Sequence, residues 1–243
     1  MTFRKLLVIP TVGLAGCTVL SIEDTFTGAD GLVTNEFAHW NAPAGQQSLV
    51  WDMTSGSLFR RNGVGWSGTI DAGVAPNATS SNATNSAVFR LTTHADEFTT
   101  FEVSFRLKLI GFTSTASTPA QAWDGIHVFC RYADEAELYY ASVARRDGKV
   151  VVKKKTPGGP SNGGTYHDLT AYPSAPMSVG AWHDVKVTVG GTDPTTITMI
   201  VDGVTLLTAQ DTGQFGAPIA MGATGIRGDN VEFEIDDFKV RVP

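Results

Sequence analysis

Residues 101–112, FEVSFRLKLIGF, carry the cleanest pattern in the chain. Phe101, Val103, Phe105, Leu107 and Leu109 alternate with Glu102, Ser104, Arg106 and Lys108. Successive side chains of a strand point to opposite faces, so this stretch predicts a strand with one buried face and one wet face. The same kind of segment recurs on both sides of it. AVFRLTT precedes it, and GIHVFCRY, ELYYASVAR and KVVVKKK follow after a loop at 113–125 that ends near Trp123. Asp147-Gly148 marks a hairpin between the last two of these. TPGGPSNGGTY reads as a glycine- and proline-rich loop.

AWHDVKVTVGG and TTITMIVDGVTLLTAQ supply further strands, divided at Thr192-Asp193-Pro194 and at Asp202-Gly203. In the closing MGATGIRGDNVEFEIDDFKVRV, Phe233 and Ile235 share a face, while Phe238 and Val240 are out of phase by one residue. That slip predicts a β-bulge at Asp236-Asp237. Towards the N-terminus, IEDTFTGAD, LVTNEFAHWN and VWDMTSGSLFRRNGVGWSG read as short strands and turns, and the polar residues 71–86 as a surface loop. About a dozen short strands without interposed helices imply a two-sheet antiparallel sandwich.

Composition agrees. The 243 residues suit one large β-sandwich, and 26 glycines suit many turns. A net charge of −6 argues against nucleic acid as a partner, which requires a dense basic face. No apolar run after residue 20 is long enough for a transmembrane helix. The two cysteines, Cys17 and Cys130, exclude a disulfide-stapled scaffold. Cys130 falls on the strand face of Ile126 and Val128 and is expected to be a packed free thiol.

Residues 1–21 allow two readings. Arg4 and Lys5, the apolar run Leu6–Ala15 and the box LAGC resemble a bacterial lipoprotein signal, cleaved before an acylated Cys17. Alternatively, Val8, Ile9, Val12 and Val19 suit a strand or arm, and Pro10, Thr11 and Gly13 weaken a helix.

The last third, GAWHDVKVTVGG, TITMIVDGVTLLTAQD and GATGIRGDNVEFEIDDFKV, resembles the closing half of a concanavalin A-like jelly roll of the laminin-G or glucanase type. The resemblance spans residues 22–242 and implies a fold shared by lectins, glycan-binding modules, glycosidases, lyases and virion proteins. A narrower resemblance rests on DGLVTNEFAHWN, MTSGSLFRRNGVGWSG, NSAVFRLTT, ELYYASVARRDGKVVVKKKTPGGPSNGGTY and IRGDN. These are similar to a group of actinobacterial and actinobacteriophage proteins, the phage members being minor tail proteins. That likeness implies a virion component beside other tail subunits, forming homo-oligomers and touching a host envelope polysaccharide. It favours a retained arm, with Leu6, Leu7, Val8, Ile9, Val12 and Leu14 as assembly contacts. The alternative is an extracytoplasmic, lipid-anchored protein, which touches a membrane only through Cys17.

Catalytic patterns are weak. Glucanases of this fold align carboxylates as E-x-D-x-E on a concave strand, one as nucleophile and one as acid. Glu232, Glu234 and Asp236 are the nearest match, in the wrong order and on the terminal strand, and read as a solvated face. Lyases of the fold pair a tyrosine with a histidine beside an arginine. His127, Arg131, Tyr139 and Tyr140 supply the residue types, with His127 and Arg131 on one strand face, but without the lyase signature stretches. No catalytic residue is assigned. The five histidines are scattered, so no zinc site or cofactor is expected. Asp24 and Asp237 approach if the first and last strands pair, and are expected to be edge carboxylates rather than a calcium site.

Binding patterns are more informative. Sugars need flat rings for their apolar faces and polar groups at the edges. Trp66 and Trp123 beside loops, with His127, Arg131, Tyr139 and Tyr140, are the glycan-binding candidates. Trp182, opening a strand, is expected in the core; Trp40 and Trp51 stay undecided. Lys153 and Lys155 share a strand face, either as a charged edge against aggregation or as a contact for anionic polymer or a partner subunit. The expectation is therefore an all-β, concanavalin A-like jelly-roll sandwich over residues 22–243, carrying an extended N-terminal arm over 1–21.

Overall fold

A computed structural model describes residues 21–35, 47–70, 84–85 and 87–243. The proposed arm residues, Cys17 and Trp40 lie outside them. Among the described residues every regular element is a strand. In chain order the first nine are β1 (Ser21–Asp24), β2 (Gly31–Asn35), β3 (Trp51–Ser55), β4 (Ser57–Arg61), β5 (Val64–Trp66), β6 (Thr69–Ile70), β7 (Thr84–Asn85), β8 (Val88–Thr93) and β9 (Phe101–Phe112). The rest are β10 (Gly125–Tyr132), β11 (Leu138–Arg145), β12 (Val151–Ser161), β13 (Gly164–Asp168), β14 (Trp182–Gly190), β15 (Thr195–Val201), β16 (Val204–Asp211), β17 (Ala223–Asp229) and β18 (Val231–Arg241).

Two antiparallel sheets stack as the sandwich the alternation predicts. The nine-stranded sheet runs β16-β15-β14-β9-β18-β5-β4-β2, with β1 also paired to β18. The seven-stranded sheet runs β13-β12-β11-β10-β17-β8-β3. β6 and β7 form a small parallel pair, of which β7 falls within residues 71–86, expected to be loop. The core lies between the sheets. Val103, Phe105 and Leu107 of β9 and Phe233, Ile235 and Phe238 of β18 pack with Ile126, Val128 and Cys130 of β10 in one apolar cluster. Each such side chain taken out of water contributes roughly 1.5–3 kcal/mol. Cys130 is a buried free thiol, and burial pushes its pKa up to about 12.

Turn chemistry sets the connections. Asn62-Gly63, Asn162-Gly163 and Asp202-Gly203 all have positive φ at both positions, the geometry of tight hairpin turns that match strand twist. The second of these joins β12 to β13, so the expected loop TPGGPSNGGTY is a paired hairpin. A Cβ on Gly159 would lie 2.1 Å from Thr165 Oγ1, so the close strand approach there requires glycine. The predicted bulge in β18 is present: the register to β9 shifts between Asp236 and Lys239, and Asp237 has φ of 50°.

One expectation is corrected and one open question is answered. Trp182 lies outside the core, because Val185, Val187 and Val189 take the inward parity of β14. Its ring sits under Arg106 and Lys108, at 4.8 and 5.4 Å. Trp51 belongs to the core instead, and its Nε1 donates to Asp24 Oδ2 at 2.8 Å. β1 does pair with β18, and Asp24 also caps the Phe26 amide at 2.8 Å, so both its oxygens serve protein donors.

Candidate functional site: a basic, aromatic cleft on the seven-stranded sheet

β9 is buried on one face, whereas β10 is buried on both. The inward face of β10 faces the other sheet. Its outward face carries His127 and Phe129, and a second aromatic cluster covers it: Phe129, Tyr132, Leu138, Tyr140 and Ala223, with Tyr166 packed alongside. Here the sheet opens into a cleft of about 360 Å³. Its floor comes from five neighbouring strands: Arg90 on β8, Arg227 on β17, His127 on β10, Tyr140 on β11, and Lys153 and Lys155 on β12. Tyr166 of β13, Ser161 and Asn162 of the hairpin, and Trp123 form the walls.

The rings are arranged edge to face. Tyr140 meets His127 at 5.1 Å and Tyr166 at 5.2 Å between centroids. Trp123 is the exposed ring of the set, with 43 % of its surface in contact with solvent. Its loop is pinned by the buried Asp124, which accepts from Gln121 N at 2.8 Å and from Arg146 Nε and Asn230 Nδ2, both at 3.1 Å.

The charges are organised in pairs. Arg227 grips Asp229 through Nε and Nη2, at 2.6 and 3.0 Å, and donates Nη1 to the Tyr166 hydroxyl at 2.8 Å. Arg90 pairs with Glu135 at 2.9 Å, and Lys153 with Asp168 at 3.0 Å. Burial acts to raise the Asp229 carboxyl, but Arg227 and His127 outweigh it and hold the group well below the usual range. Burial lowers the His127 pKa against the opposing pull of Asp229. An ionised Asp229 only accepts, so the neutral imidazole is assigned to donate Nε2–H to it across 3.3 Å. Nδ1 then accepts from Ser142 Oγ at 2.7 Å. Burial pushes the Tyr140 phenol up. Lys155 is buried, donates to the Glu135 carbonyl and stands 4.9 Å over the Tyr166 ring. Burial, then the nearby Arg227 and Arg90, bring its pKa down to about 8.

The structure thus gathers Trp123, His127 and Tyr140, and disperses the other three candidates. Arg131 leaves the face of His127 because its φ is 49° and the β10–β17 register slips between Phe129 and Tyr132. Its guanidinium is buried, with Nη1 donating to Thr195 Oγ1 and to the Ile219 carbonyl, both at 2.7 Å. Tyr139 takes the inward parity of β11; its hydroxyl donates to Asp211 Oδ2 at 2.6 Å and accepts from Ile219 N. Trp66 is buried on the opposite sheet, with the Arg61 guanidinium 3.7 Å above its ring. Glu234 and Asp236 are also on that sheet. Glu234 is held by Arg61 at 2.7 Å and Lys108 at 2.6 Å, and Asp236 lies 3.5 Å from Arg106.

Arg90, Arg227 and Tyr166 were not singled out from the sequence. The available signal for Arg90 and Arg227 was a lone cation flanked by apolar residues in VFRLTT and ATGIRGD; Tyr166, in the polar GTYHD, gave none. Lys153 and Lys155 do not form a sheet edge, because β13 pairs outside β12. A separate row of Ser178, His183 and Asp202 joins Oγ to Nε2 and Nδ1 to Oδ2, both at 2.7 Å. It belongs to the nine-stranded sheet, where Asp202 also caps the Asp184 amide and anchors the β15–β16 turn.

No protein-family model and no curated protein matches the sequence. Solved structures do match the fold. One is LamA from Zobellia galactanivorans in complex with laminaritriose and laminaritetraose, at 12% identity, TM-score 0.54, with 92% of this chain and 98% of that chain covered. Another is an alginate lyase in complex with alginate tetrasaccharide, at 12% identity and TM-score 0.52, covering 92% and 97%. A third is a protein of unknown function with a galectin-like fold from Bacillus subtilis, at 11% identity and TM-score 0.53, covering 79% and 88%. Likeness at such identity concerns the backbone arrangement. This chain carries the concanavalin A-like, galectin-like two-sheet jelly-roll sandwich.

Proposed function

We propose that the chain is a saccharide-binding module without catalytic activity, carried on a bacteriophage tail. One observation carries the binding reading: the seven-stranded sheet opens a cleft in which an exposed indole, Trp123, stands beside Tyr140, Tyr166 and convergent polar groups. Rings take the apolar face of a pyranose, and the polar groups fix its hydroxyls. The solved structures with laminarin and alginate oligosaccharides have this fold and support a glycan as ligand. The tail assignment rests on the likeness of the strand sequences to minor tail proteins, with residues 1–21 as the arm that docks onto other subunits.

The ring contact of His127 with Tyr140 favours a second reading, an eliminating lyase. Against it, both imidazole nitrogens are occupied by Ser142 and Asp229, and the Tyr140 phenol is made a weaker acid by burial. A proton-abstracting base must reach the substrate proton.

Affinity electrophoresis through gels containing uronan or glucan tests the binding reading. Retardation is expected, and Trp123→Ala is expected to abolish it with unchanged thermal stability. Incubation of the same polymers with the protein should release no unsaturated or reducing ends; release lost in His127→Ala would establish the lyase instead. Immunogold labelling of purified virions should decorate the tail. An intact mass lacking residues 1–16 and bearing acyl groups on Cys17 would replace the tail reading with the lipoprotein one.

A further inference from the structure

The cations of the cleft are unequally compensated. Arg90, Lys153 and Arg227 each hold a carboxylate, from Glu135, Asp168 and Asp229. Lys155, only 2 % exposed, holds none among the described residues: its acceptor is the neutral carbonyl of Glu135, and its other neighbour is the ring of Tyr166. Buried charges are normally paired, because an isolated one forfeits its hydration without return. Here the imbalance is reinforced, since Arg227 and Arg90 act on the same ammonium with like charge, opposed by Glu135 and Asp134. Among the described residues, none of those lining the cleft is acidic.

We infer that the missing counter-charge is supplied by the ligand, and that the cleft takes an acidic sugar whose anionic group docks on Lys155, beside Arg90 and Arg227, while its ring lies against Trp123. The inference rests on the saccharide-binding reading and narrows it to one chemical class. A carboxylate of a uronic acid meets the requirement, and so does a phosphate or sulfate ester on a sugar. An ammonium is a point charge with three donors, of which the Glu135 carbonyl uses one, so two remain for the anion. The docked anion also returns the lysine to its ordinary protonation, so affinity falls as the pH rises through about 8.

Titration calorimetry at low and at moderate salt, against alginate and polygalacturonate, dextran sulfate, a teichoic acid, and neutral laminarin and dextran, provides the test. Binding of at least one acidic polymer, weakened by salt and without binding of the neutral polymers, is expected. Which acidic arm binds identifies carboxylate, sulfate or phosphodiester. Lys155→Gln keeps a donor for the Glu135 carbonyl and should lower acidic-polymer affinity by about tenfold or more, the loss of a charge-assisted hydrogen bond. Should that variant not fold, ¹³Cε NMR of the wild-type protein follows the titration of Lys155, whose pKa should rise when the acidic polymer is added.

Equal binding of neutral and acidic polymers, or an unmoved Lys155 titration at saturation, overturns the acidic assignment and leaves the saccharide reading standing. No binding of any of the polymers overturns both.

Discussion

The outward faces of β9 and β10 differ, although both strands sit in the middle of their sheets. On β9, Glu102, Arg106 and Lys108 stay partly wet and pair with Lys186, Asp236 and Glu234. On β10, the outward His127 and Phe129 lie under aromatic rings and a salt bridge between Arg227 and a buried Asp229. The first face is the exterior of the sandwich, where the pairs made by Glu102 and Arg106 stay open to water and contribute little, although Glu234, expected on a solvated face, is buried beneath Arg61 and Lys108. The second has taken polar groups out of water at a cost that stability alone does not require. A protein retains such groups where their orientation matters, as in a binding cleft.

Substitutions sharpen this contrast, each read from urea midpoints at neutral pH. The largest effect is expected on the covered face: Asp229→Ala should cost about 3–5 kcal/mol, because Arg227 loses its paired charge while His127 loses its acceptor. Between the sheets, Leu107→Ala should cost about 2–5 kcal/mol through the cavity it leaves. On the outward face of β18, Glu234→Gln should cost about 1 kcal/mol, since Glu234 is buried but its partners Arg61 and Lys108 keep access to water. Lys239→Ala, which removes the pair to the exposed Glu23, should cost under about 0.5 kcal/mol. A Glu234→Gln loss as large as that of Asp229→Ala would erase the contrast.

Acid separates the faces too. Asp229 has a depressed pKa in the folded chain, so its contribution is complete above the ordinary carboxylate value of about 4 and is lost as the pH falls below it. The wild type should therefore lose stability steeply below about pH 4. Asp229→Asn should start lower and show a shallower decline. Parallel curves would mean that Asp229 is not coupled to Arg227 as the geometry shows.

Two bulges show what was legible. In β18 the slip is written in the residues, because Phe233 and Ile235 are followed by Phe238 and Val240 at the wrong parity for a continuous strand. In β10 the slip is hidden. GIHVFCRY alternates acceptably with His127 and Arg131 on one face, yet Arg131 adopts a left-handed backbone and turns into the interior. Its stabilisation comes from the Ile219 carbonyl and Thr195, 88 and 64 residues away. Trp182 failed for a similar reason: its position at the opening of a strand suggested the core, while the parity of three valines placed it outside.

By itself, the sequence determined the all-β class, the strand positions and most hairpins, because period-two alternation and Asn-Gly or Asp-Gly turns act over a few residues. It also named Trp123, His127 and Tyr140 among the candidate site residues. Only the tertiary structure decided that these three share a cleft and that Arg90, Arg227, Lys155 and Tyr166 complete it. β8, β10 and β17 become neighbours through pairing across about 90 to 140 residues. Strand order and register at that separation depend on which faces fit together when the two sheets close, and no local pattern encodes that fit.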